Sequence, residues 1–318
     1  MGEVIYTKIG MNIIYNGGKL VYHYTSTSTL LKILDKIEDD HLVFFASGMS
    51  SLNDSSEFMY GFKQLRRLLP SIENKAEELE QNFRLSEMLK NTEDSFIVER
   101  LNERFTDILL KECRSPFVMS TSTEGDNIPM WAMYGDAGKG VSIGLDIANM
   151  YVPIKMNDGS MVFDITKYDT NEPHALKVVH SLSLKHPAML LSISTYKKYI
   201  ETVKSLSNKV DIFRLQLVTL YEMSVYVSAL TKHPAFSFEN EWRIVRTASC
   251  LSQINYRVNS RGSVIPYINI KLPVNCFKKL YIGPCCESSY QKEIVEKMLS
   301  NKGLEHCKVI KSRVPYKG

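Results

Sequence analysis

Two long blocks of helical periodicity interrupt a chain whose other segments alternate with a period of two. The first block spans about 57–113 and the second about 187–232. In the first, Leu79, Phe83, Leu85, Met88 and Leu89, then Phe96, Ile97, Leu101, Phe105, Ile108 and Leu109, form an amphipathic stripe, with one break expected at Pro70. In the second, Leu190, Ile193, Tyr196, Ile200 and Val203 predict one helix and Ile212 to Leu230 another. Strand-like segments come before, between and after these blocks: 19–25, 41–46, 116–122, 140–147, 241–248, 254–258, 264–271, 278–283 and 306–311. A hairpin is expected around Asn157-Asp158-Gly159, short helices at 26–37 and 128–134, and a helix at 287–301. That order excludes a regular βαβ winding. It predicts an α+β protein with a mixed or antiparallel sheet as its core, a single domain over 1–318 that carries two large helical insertions.

Composition narrows the function classes. With 318 residues, 44% hydrophobic and 23% charged, the chain reads as an ordinary globular protein. A net charge of +4 is too small to argue for nucleic acid by itself. No apolar run approaches the ~20 residues of a membrane span, and the N-terminus lacks the pattern of a signal peptide. Six cysteines without a Cys-x-x-Cys pair favour a reducing compartment and give no zinc knuckle, so a cytoplasmic location without a metal is expected. His174, His180 and His186 recur every six residues, which is neither a helix nor a strand period, and predict no shared metal. Gly138-Lys139 is followed by Gly140 rather than Ser or Thr, so Gly135–Gly140 reads as a tight turn and not as a phosphate loop.

Three stretches carry the candidate chemistry. The central one is Phe236–Arg246. Strand alternation sends Glu239, Glu241, Arg243 and Val245 to one side and Trp242 and Ile244 to the other. Two carboxylates on one face near the strand's start are expected to raise each other's pKa and divide labour, one charged and one carrying a proton. The second stretch is Tyr22-His23-Tyr24-Thr25-Ser26, where an imidazole leaves a strand beside a helix N-terminus suited to an anion. The third is Ser120-Thr121-Ser122, followed by Trp131 and Tyr134 three apart on a helix. Their hydroxyls suit ribose oxygens, and the two rings would make a stacking wall.

These residues together, with Asn53-Asp54…Glu57-Phe58, Met130-Trp131…Tyr134-Gly135…Gly140, Glu239-Asn240-Glu241-Trp242-Arg243, Leu280–Pro284 and Ser312–Tyr316, resemble the bacterial family catalogued as domain of unknown function number 2971. That family is similar to the ADP-ribosyltransferase superfamily, whose members split NAD in a cleft of a mixed sheet. The resemblance implies an ADP-ribosyltransferase-like sheet and an NAD-consuming transferase or glycohydrolase, without a metal. By analogy it suggests an antiphage or toxin effector. His23 is similar to the first-strand histidine that holds a ribose or the nicotinamide amide. Glu241 resembles the catalytic glutamate and Glu239 the acceptor-directing one. Tyr24, Thr25, Ser26, Ser120, Thr121, Ser122 and Arg243 are implied cofactor contacts, with Tyr134 or Trp131 as the ring-stacking residue. The acceptor, protein or nucleic acid, is not given by these motifs. The alternatives are a non-catalytic nucleotide-binding sensor and a nucleic-acid-binding accessory protein.

Overall fold

Alternation along Leu20–Thr25 sends Tyr22 and Tyr24 to one side of the first strand and Val21 and His23 to the other. The strand stops at Ser26, whose hydroxyl accepts the Thr29 amide at 3.2 Å and caps the next helix. The computed structural model describes residues 20–49, 56–76, 83–90, 93–94, 97, 116–147, 153–155, 161–163, 174–184, 186–205, 212–248, 250–258, 262–286 and 291–317. Its elements begin with β1 (Leu20–Thr25), α1 (Thr27–Asp35), β2 (Ile37–Glu38), β3 (His41–Gly48), α2 (Ser56–Ala76), α3 (Leu85–Leu89), β4 (Pro116–Ser122) and α4 (Ile128–Tyr134). Next come β5 (Val141–Asp146), β6 (Pro153–Lys155), β7 (Met161–Phe163), β8 (His174–Lys177), α5 (Pro187–Ser205) and α6 (Ile212–Ala229). The chain closes with β9 (Glu241–Thr247), β10 (Asn255–Val258), β11 (Val264–Pro273), β12 (Phe277–Ile282), α7 (Gln291–Ser300) and β13 (Lys308–Lys311).

Among the described residues, eleven strands form one open sheet in the order β10-β11-β3-β4-β1-β5-β12-β13, with β2 on β3 and β9 between β4 and β8. Strands β12 and β13 pair in parallel, as does the isolated bridge Val179–Thr231; the other described strand neighbours pair antiparallel, from β1–β4 to β8–β9. The α+β class expected from the sequence is therefore the class of the fold. The pair β6–β7 stands apart from this sheet. No helix among the described residues is long and apolar enough to cross a membrane.

The sheet divides at β4. One of its edges pairs with β9 along its whole length, from Pro116 opposite Thr247 to Ser122 opposite Glu241. The other edge pairs with β3 at Phe117 and Val118 and with β1 only at Ser122. Two strands thus share one edge of β4, and the residues between their contacts face a gap. The face built by Val21, Phe44, Phe117, Ile143, Ile244 and Leu280 is buried under α1 and α7. The opposite face of β4, β8 and β9 gives Val118, Leu176 and Val245 to a layer made of α2, α3, α5 and α6. Burial on both sides explains why Ile244 and Val245, on opposite faces of β9, are both apolar.

Three local expectations are corrected. Ile37 does not continue α1: the helix ends at Asp35, and Ile37–Glu38 pairs back onto His41–Leu42. Asp39 and Asp40 both adopt positive φ, 48° and 60°, which is the two-residue hairpin geometry. Pro70 does not break the first helical block, since α2 runs through it to Ala76. The ring lies on the exposed side, while buried Leu69 and Ile72 hold the helix to the core. Strand β8 has no counterpart in the sequence reading. The second block does contain two helices, α5 and α6. The stretch 98–115, the cap at 53–55, the turn at 157–159 and the split at 206–211 lie outside the described residues.

Gly61 marks the crossing of α2 and α6. A Cβ there would sit 2.3 Å from the Ser228 hydroxyl and 2.6 Å from the Ser228 Cα, which is backbone that cannot swing aside. The Gly61→Ala variant is expected to lose about 1–3 kcal/mol of stability through overpacking. Thermal unfolding measures it, and an unchanged midpoint would contradict the packing described.

Candidate functional site

The start of β9 is built by a turn and not by a longer strand. Pro234–Glu239 forms a short 3-10 segment, and Asn240 takes the left-handed conformation with φ 43° before β9 begins at Glu241. Glu239 and Glu241 therefore do not project from one strand face, which corrects the alternation argument. The reversal at Asn240 still brings both carboxylates to a single cleft of about 490 Å³. The cleft is lined by Tyr22, His23, Tyr24, Glu57, Ser120, Thr121, Met130, Met133, Tyr134, Lys232, Phe236, Glu239, Glu241 and Arg243.

Its floor is a buried ionic cluster. The Lys232 ammonium lies 2.5 Å from Glu239 Oε2, 3.2 Å from Glu241 Oε2 and 3.4 Å from Glu57 Oε1. Arg243 Nε donates to Glu241 Oε1 at 2.8 Å, and Nη2 donates to both Glu57 oxygens at 2.9 Å and to Glu241 Oε2 at 3.1 Å. The Tyr134 hydroxyl donates to Glu239 Oε1 at 2.9 Å. Two helix ends feed the cluster. Glu57 lies in the first turn of α2, where a negative charge is favoured. Arg243 Nη1 donates to the carbonyls of Ala229 at 3.0 Å and Ser228 at 3.4 Å, which end α6 and would otherwise lack donors. Glu241, 8% exposed, is the most open of the three carboxylates; Glu57 is 3% and Glu239 2% exposed.

These contacts overturn the expected elevation of Glu241. Burial opposes ionisation of Glu241, but Arg243 and Lys232 outweigh it, and hydrogen bonds from Arg243 and Ser120 add to them, so its carboxyl is held at about 2. The carboxyl whose pKa is raised is Glu57, by burial first, with Arg243 pulling the other way and Glu241 adding to the rise. Lys232 resists burial and is held above its ordinary value by Glu241, Glu239 and Glu57. Burial and the Glu239 charge keep the Tyr134 phenol protonated.

A stability test follows. Unfolding restores the ordinary value of 4.5 to Glu241, so the unfolded chain takes up the proton first as the pH falls. The contribution of Glu241 is therefore complete above about 4.5 and is lost as the pH drops through about 2. Glu57, with its raised pKa, acts in the opposite sense: its contribution is present at low pH and fades as the pH rises through the folded value. Urea midpoints of the wild-type chain should fall more steeply between pH about 5 and about 2 than those of Glu241→Gln. Parallel curves would remove the assignment.

The remaining sequence-derived candidates separate into two groups. His23, Tyr24, Ser120, Thr121, Tyr134, Glu239, Glu241 and Arg243 line the cleft. Thr25, Ser26, Ser122 and Trp131 do not. Half-buried His23 fills the gap between β1 and β3: its Nδ1–H donates to the Ser120 carbonyl at 3.0 Å, and its ring meets Phe44 edge-on. Burial lowers its pKa against that hydrogen bond, so the neutral ring keeps an Nε2 lone pair. The Thr121 hydroxyl donates to the Trp242 carbonyl and that of Ser122 to the Glu239 carbonyl, so both hold β4 to β9 and its preceding turn. Ser26 caps α1. Trp131 is fully buried, with its Nε1–H on Asp126 and its ring edge-to-face with Tyr24, so it offers no open face for stacking. The sequence reading gave no site role to Glu57 or Lys232. A lone lysine closing the apolar run of α6, just before Pro234, was the available signal for Lys232. Among the described residues no group of three or more His, Cys, Asp or Glu is placed to hold a metal ion.

No curated protein and no solved structure matches this chain. A family model described as "Protein of unknown function (DUF2971)" matches residues 130–244. That segment runs from α4 to β9 and includes Tyr134, Lys232, Glu239, Glu241 and Arg243, while His23, Glu57 and Ser120 lie outside it. Over the stretch that supplies most of the ionic floor, the chain resembles this family.

Proposed function

We propose that the cleft binds NAD or a related nucleotide and breaks its N-glycosidic bond, passing ADP-ribose to water or to an acceptor. The observation that supports this best is the charge of the floor. Three carboxylates, Glu57, Glu239 and Glu241, face two cations, Lys232 and Arg243, which leaves one excess negative charge under the cleft. In the proposed reaction the bond from ribose C1′ to the ring nitrogen breaks, its electron pair leaves with neutral nicotinamide, and positive charge develops on the ribose. A fixed anion favours that state over the ground state. Glu241, held ionised, supplies the anion; His23 Nε2 accepts a hydrogen bond from a ribose hydroxyl or the nicotinamide amide; Tyr134 gives the ring a wall. Water or an acceptor group then bonds to C1′ and gives its proton to Glu239. By analogy with the superfamily resemblance, the biological setting is a bacterial antiphage or toxin effector, with a protein or nucleic acid as the acceptor.

One observation favours the sensor reading: both Glu241 oxygens already accept from Arg243, and one of them also from Lys232. Mass spectrometry of NAD incubated with the pure protein and candidate acceptors tests the choice. Nicotinamide together with ADP-ribose or an ADP-ribosylated acceptor supports the enzyme. Saturable NAD binding with no product supports the sensor.

A further inference from the structure

We propose that the cleft selects the cationic end of its ligand, so that a nucleoside bearing a positively charged heteroaromatic ring is sufficient for binding and any phosphates stay outside. This rests on the nucleotide-site reading above and names its substrate class more narrowly.

The charges the cleft can offer decide which end of a ligand it takes. Its lining contains two cationic side chains, and both are buried and committed: Lys232 is 5% and Arg243 1% exposed, and each is bonded to carboxylates. His23 gives its Nδ1–H to Ser120 and burial disfavours its charged form, so Nε2 is left as an acceptor. Among the described residues, no cation lining the cleft is therefore left for a pyrophosphate, while the floor presents its surplus negative charge. Arg257, whose charge opposes protonation of His23, lies outside the lining and donates to the Ser47 hydroxyl. Phosphates inside would be repelled, and a pyridinium-type ring would be attracted. In a cavity with low-dielectric walls that difference is amplified relative to water.

The walls suit the same ligand. Tyr22, Tyr24, Tyr134 and Phe236 surround the cavity, and aromatic faces attract cations. Lys232 already uses one such face, with its ammonium 5.0 Å from the centre of the Phe236 ring. Met130 and Met133 complete the lining with side chains that adapt to ring shape.

Two ligands of closely similar size, one with a cationic ring and one with its neutral reduced ring, test this. Calorimetry of the full chain with nicotinamide riboside, a cation, and with its neutral dihydro form should give about tenfold or greater preference for the cation. NAD should bind no more than about tenfold tighter than the riboside, because its phosphates add little inside the cleft. Glu239→Gln, which leaves two carboxylates against two cations, should bring the cation preference close to one; the wild-type comparison stands even if that variant does not fold. Equal affinity for the two ribosides, no binding of the cationic riboside, or NAD preferred by orders of magnitude would overturn the proposal. Product analysis of the same samples separates the two readings: cation-selective binding without turnover keeps this inference and removes the reaction, and turnover without charge preference does the reverse.

Discussion

In the Glu241→Gln variant, release of nicotinamide from NAD is expected to fall by about 10²–10³-fold while the fold persists. The two halves of that expectation come from one count. Wild-type Glu57, Glu239 and Glu241 oppose Lys232 and Arg243, three against two. Removing the charge of Glu241 leaves two against two, a neutral buried cluster, and the amide oxygen of Gln can still accept from Arg243. The fold therefore has little reason to fail. In the proposed reaction the fixed anion that opposes the developing ribose charge is gone, however, and the residual negative field with it. Circular dichroism with a thermal scan checks the first half and a discontinuous assay of free nicotinamide the second. Turnover equal to wild type in a folded Glu241→Gln protein would refute the catalytic assignment.

Replacing Arg243 should do the opposite and damage the fold before the chemistry. Arg243→Met leaves three buried carboxylates facing Lys232 alone, and it strips the Ser228 and Ala229 carbonyls of their shared donor. Breaking a buried ion pair from one side typically costs about 3–5 kcal/mol. Arg243→Lys keeps the charge, but one ammonium cannot reproduce the span of the guanidinium from Glu241 through Glu57 to the end of α6, so an intermediate loss is expected. Urea unfolding of the three proteins gives the ranking. A loss below about 0.5 kcal/mol in Arg243→Met would mean that the cluster is not what ties α2, α6 and β9 together.

Legibility in the sequence followed locality. Period-two segments and helical stripes come from neighbours a few residues apart, and they sufficed for the α+β class and for most strand positions. Glu239 and Glu241 were visible because two carboxylates at the head of an apolar strand are unusual on their own. Their electrostatics were not visible, because the sign of the Glu241 shift is set by Lys232 and Arg243 acting together, and nothing in Glu-x-Glu reveals the first of these. Glu57 lies 186 residues before Arg243, a pairing that leaves no periodic trace. Trp131 and Tyr134 share a helix face, as their spacing implies, yet Asp126 and Tyr24 draw the indole into the interior while Glu239 draws the phenol to the cleft. The Asp39-Asp40 hairpin was missed because its dihedrals are ones that glycine and asparagine usually advertise.

The distance in sequence between Glu57 and Arg243 also bears on how the protein matures. A chain emerging from synthesis carries Glu57 long before its guanidinium partner exists, so that carboxylate stays hydrated until β9 docks beside β4. Long-range pairings of this kind are expected to form later than the local contacts within α2. The cleft is thus complete only when β9 has docked on β4, and a chain in which α2 has packed without β9 lacks Glu241 and Arg243 at the cleft floor.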